Sequence, residues 1–72
     1  MKYGKMICEI EKCIEDGEYS RGEKLAEQAI LHKPESPVFY NLMGVILEKE
    51  CRHVQAMECF KNAYDLDQGY EP

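Results

Sequence analysis

Two versions of one pattern lie 34 residues apart in this chain. In the second half, Tyr40, Met43, Gly44 and Leu47 are followed by Ala56, Phe60 and Ala63; in the first, Met6, Ile10 and Cys13 are followed by Gly22, Ala26, Ala29 and Pro34. A 34-residue period with small residues at fixed offsets marks stacked helix-turn-helix units, each too small to bury its apolar face alone. That spacing limits the fold to helices packed pairwise. Such stacks generally bind other chains.

The local signals agree with helices. From Tyr3 to Asp16, the apolar residues Met6, Ile7, Ile10, Cys13 and Ile14 fall on one helical face. Gly17 is placed to stop that helix. Ser20 and Glu23 have capping-box spacing and predict the next start. The second helix carries Leu25, Ala26, Ala29 and Ile30 and is expected to end near His32, before Pro34. Ser36 before Pro37 predicts a third start, with a capping hydroxyl and then proline in the first turn. The third helix is expected to reach Glu50, with Phe39, Leu42, Met43, Ile46 and Leu47 inward. After a turn at Cys51–His53, a fourth helix is expected over Val54–Asp67, stopping before Gly69 and burying Phe60 and Ala63. No stretch alternates with period two, so no sheet is expected. Connections this short make neighbouring helices antiparallel. The expected fold is all-α: two tandem antiparallel helix-turn-helix hairpins in one domain, residues 1–72, with repeats at about 3–36 and 37–70.

The pattern resembles a pair of tetratricopeptide repeats. That family reads W-x2-L-G-x2-Y, A-x3-F, P. Here the second repeat reads Tyr40-x2-Met43-Gly44-x2-Leu47, Ala56-x3-Phe60, with Gln68 at the proline position. The first reads Met6-x2-Glu9-Ile10-x2-Cys13, Gly22-x3-Ala26, Pro34, and the Gly17-Glu18-Tyr19 link also resembles the family's. The two halves share identity at this offset only at Ala29 and Ala63. Glu9 and Ile10 stand where a large apolar residue and a glycine are usual, so the first hairpin is expected to pack more loosely or to turn about its axis. Gly44, Ala56 and Ala63 are expected to let helix backbones approach, with Phe60 and Leu47 filling the space around them.

The resemblance implies a function and a site. In this family the first helix of each hairpin lines a concave groove that holds a peptide or partner helix. The corresponding residues are Ile7, Glu11, Ile14 and Glu15, then Val38, Asn41, Val45, Glu48 and Lys49. Aliphatic side chains beside carboxylates suit a ligand with apolar anchors and some Lys or Arg. Ile7 and Glu11 occupy places where a clamp for a C-terminal carboxylate would need Lys and Asn. The implied role is a non-catalytic scaffold or adaptor that binds protein and needs no cofactor. Met57, Phe60 and Tyr64 share one side of the fourth helix and predict weak self-association.

Composition narrows the alternatives. Nine basic against fourteen acidic residues, net −5, oppose nucleic acid as a partner, because phosphate backbones need a basic patch. No apolar run approaches the roughly 20 residues that span a bilayer. Glu9 and Glu11 interrupt any apolar leader near the start, so a cytoplasmic protein is expected. Cys8, Cys13, Cys51 and Cys59 match no zinc or disulfide framework, and Cys8, Cys13 and Cys59 are expected as small buried groups. The competing function is a thiol-based redox sensor or metal-binding protein using Cys51, Cys59 and His53; Cys-x-His alone is a weak metal signal. No arrangement of His32, His53 and the thiols suggests a catalytic set.

Overall fold

The computed structural model describes residues 2–66, with side chains from residue 4 onward. The expected end of the second repeat near residue 70, Gln68 and the stop at Gly69 lie outside the described residues. Within them the chain forms four α-helices and no strand: α1 (Lys2–Asp16), α2 (Tyr19–His32), α3 (Pro37–Lys49) and α4 (His53–Leu66). These make two helical hairpins.

The two hairpin turns are the same device repeated at the expected period. At the end of α1, the Glu18 N–H donates to the Cys13 carbonyl (2.8 Å) and the Gly17 N–H to Ile14 (3.2 Å). Thirty-four residues later, the Arg52 N–H donates to Leu47 (2.8 Å) and the Cys51 N–H to Glu48 (2.9 Å). This paired bonding is the Schellman closure, which needs a left-handed residue just past the helix. Gly17 supplies it at φ 77° and Cys51 at φ 63°. Only the first is a residue that adopts this conformation without strain.

Two capping expectations are corrected. α2 begins at Tyr19 with Glu18 at its N-cap, so the Ser20–Glu23 capping box does not form. The closure at Gly17 fixes the cap position two residues earlier and leaves Ser20 inside the first turn. Ser36 does stand at the N-cap of α3 in extended conformation, followed by Pro37, but its side chain makes no capping hydrogen bond.

The core is organised around α3. Its Cα atoms come within 8 Å of α1, α2 and α4, whereas no Cα of α4 comes that close to α1 or α2. The four helices therefore do not close into a ring. Phe39, Leu42, Met43, Ile46 and Leu47 are all buried, as expected of a helix apolar on most sides. Phe39 and Ile46, with Ile10 of α1, are the largest fully buried side chains. Each contributes about 1.5–3 kcal/mol by leaving water.

Small residues set the approach of the helices. A Cβ at Gly44 would stand 2.6 Å from Cε1 of Phe60, so the ring lies directly on the α3 backbone. A Cβ at Gly22 would stand 3.1 Å from Ile46 and 3.2 Å from Cys13, so the two hairpins meet closely there. Ala56 and Ala63 are buried as expected, while Phe60 is only half-buried. Ile10, where glycine is usual, is fully buried. Ala26, in the same core cluster, stands at the position where the second hairpin has Phe60. Large and small have exchanged helices, and the expected loosening of the first hairpin does not show at this position. Cys13 is buried and Cys59 half-buried, but Cys8 is exposed. It sits two residues before Ile10, about 200° around the helix, on the solvent side.

Candidate functional site

The nine residues expected to line a groove divide by depth. Ile7, Ile14 and Val38 are half-buried and pack against the core edge. Asn41 and Val45 are half-buried too, and Glu11, Glu15, Glu48 and Lys49 are exposed. α1 and α3 are in contact, so the two groups occupy neighbouring helices. The apolar members and Asn41 are thus the more buried of the nine, and the charged members the more exposed.

One open depression borders the α3 members of this set. Val45, Glu48 and Lys49 line a depression of about 350 Å³ together with Phe60 of α4. The sequence pattern expects Phe60 in the space around Gly44 and on the free side of α4, and not among the groove residues. Gly44 explains the difference: with no side chain there, the Phe60 ring reaches across to α3 and becomes the wall beside Val45. The depression thus has an apolar wall and aliphatic side, with one carboxylate and one ammonium at its mouth. Such a shape takes an apolar side chain and leaves polar atoms at the rim for a backbone or charged neighbour.

A separate polar cluster joins the hairpins on another side. Arg52 Nη1 lies 3.3 Å from Glu23 of α2 and 3.4 Å from Glu50 at the end of α3. Its Nε donates to Gln55 at 2.6 Å. Partial burial, then the neighbouring Glu50 charge, push the Glu23 carboxyl above the ordinary range, against the opposing pull of Arg52. These contacts are exposed, so each ion pair contributes at most about 1 kcal/mol. The sequence offered no signal for this cluster, since its members come from three elements.

The thiols are dispersed. Cys51 is exposed in the second turn, His53 opens α4, and Cys59 is half-buried further along it. Burial, then Glu58 and Glu23, raise the Cys59 thiol above its usual value and so disfavour the reactive thiolate. Among the described residues, no three His, Cys, Asp or Glu side chains gather as a metal site, and no helix is long and apolar enough to cross a membrane. Comparison with protein families, with curated proteins and with solved structures finds no match to this chain.

Proposed function

We propose that this chain is a non-catalytic protein-interaction module, acting as a scaffold or adaptor in the cytoplasm. It holds an extended peptide or partner helix along the edge of α1 and α3, in the manner of the tetratricopeptide repeats it resembles. The observation that carries this reading is the depression between Val45 and Phe60, which opens on the α3 part of the groove expected from the sequence. An apolar anchor of the partner enters it. Ile7, Ile14 and Val38 offer further aliphatic surface, and Glu11, Glu15 and Glu48 select a ligand carrying Lys or Arg. Asn41 can both donate to and accept from a peptide backbone. The net charge of −5 favours basic segments over nucleic acid. The raised Cys59 thiol weighs against the thiol-sensor alternative, which needs an activated sulfur.

Screening arrays of basic-apolar peptides, followed by titration monitored on the backbone amides, tests the reading. Val45→Glu and Asn41→Lys should each abolish the binding found while leaving the helical signal intact. Peptide binding that survives both changes places the site elsewhere.

A further inference from the structure

We propose that a second copy of this chain covers the outer face of α4, the two helices packing antiparallel about a two-fold axis. The proposal does not rest on the groove, because the side chains that carry it lie outside it. Val54 is 75% exposed, Met57 69% and Tyr64 55%, and they succeed one another at helical spacing along α4. α3 covers α4 through Ala56 and Ala63, roughly 80–180° around the helix from these three side chains, and leaves them open. Three large side chains in a row make a patch on the order of 300–400 Å², within the range where patches on single chains act as contacts.

The patch matches itself. Met57 and Tyr64 are seven residues apart, with Phe60 close to their midpoint. A two-fold axis there sets each Met57 against the other copy's Tyr64, a thioether on an aromatic edge, made twice. Lys61 borders the patch, and Glu58 and Asp65 lie on the same side of α4. Under that axis Lys61 falls within about 3 Å along the helix of the other copy's Glu58, at 1.5 Å per residue, close enough for an ion pair. Head-to-tail stacking has no such complement: the outer side of α1 presents the exposed Cys8, Glu9, Lys12 and Glu15.

Size and charge fix the strength. A stable interface covers about 800 Å² per copy, roughly twice this patch. Each copy also carries a net −5. The dimer is therefore weak, with a dissociation constant on the order of 0.1–1 mM, and added salt strengthens it by screening the overall repulsion. Sedimentation equilibrium of the full chain up to about 1 mM tests this, at low and high salt. The expected result is a mass that rises from 8.4 kDa toward twice that value and no further, more readily in high salt. Met57→Lys and Tyr64→Lys change exposed positions, so folding should be unaffected, and each should return the mass to that of one chain. A single chain at every concentration overturns the proposal. So does a dimer indifferent to both substitutions, which would place the contact on another surface, and so does a mass that climbs past two copies, which would mean open-ended stacking.

Discussion

Gly44→Ala sets two opposing effects against each other. In the middle of α3, alanine is favoured over glycine by about 0.8–1 kcal/mol. The new methyl, however, would stand 2.6, 2.8 and 2.9 Å from three atoms of the Phe60 ring. Carbon atoms rest at about 3.5–4.0 Å, so the ring must retreat by roughly 1 Å. Overpacking of this kind costs about 1–3 kcal/mol. Phe60 is half-buried and can give way toward solvent, which holds the cost to the middle of that range, about 1.5–2.5 kcal/mol. The net expectation is a loss of about 0.5–1.5 kcal/mol. With a urea slope near 1 kcal/mol/M for so small a chain, the midpoint should fall by about 0.5–1.5 M at unchanged slope. The decisive comparison is the same change made in a Phe60→Ala background. There the obstruction is gone, and Gly44→Ala should stabilise by about 0.8–1 kcal/mol. If the substitution has the same sign and size in both backgrounds, the ring does not rest on Gly44, and the account of the hollow beside Val45 fails with it.

Three further outcomes come from the turns and the polar cluster. Cys51→Gly should raise stability by about 0.5–1 kcal/mol in thermal or urea melts, because relief of a left-handed residue exceeds the added freedom of the unfolded chain; Gly17→Ala, where a Cβ meets nothing within 4 Å, should lower it by about 1 kcal/mol through the backbone alone. Because the folded state holds the Glu23 proton more tightly than the unfolded chain, its favourable contribution is complete below the ordinary value of 4.5 and is lost as pH rises through the higher folded value. Glu23→Gln should flatten the stability profile across that window, and an unchanged profile would show that burial and Glu50 do not act on this carboxyl.

Much of the architecture was readable because it depends on spacing. The helical faces, the inward side of α3 and the stop at Gly17 follow from residue class and position, and all three are found. The errors arise where a local signal competes with a neighbouring one. Ser20 and Glu23 have the right spacing for a cap, yet the closure formed by Gly17 had already fixed where α2 begins. Ile10 departs from the family pattern, yet it is fully buried in one core cluster with Ala26, a small residue at the place equivalent to Phe60. Cys51 carried no sign of a left-handed turn, since only the repeat offset from Gly17 marks it. At the candidate site, the spacing puts Phe60 near Gly44, but that its ring shares a depression with Val45, Glu48 and Lys49 depends on how α3 and α4 meet.

The backbone of α3 lies close to every other helix, while that of α4 lies close to α3 alone. Such a layout makes resistance to opening unequal along the chain. The backbone of α4 can detach without disturbing that of α1 or α2, whereas the loss of α3 frees α4 altogether and leaves α1 and α2 only each other. Amide protons of α4 should thus exchange first and those of α3 last, in a gradient running outward from the middle of the array.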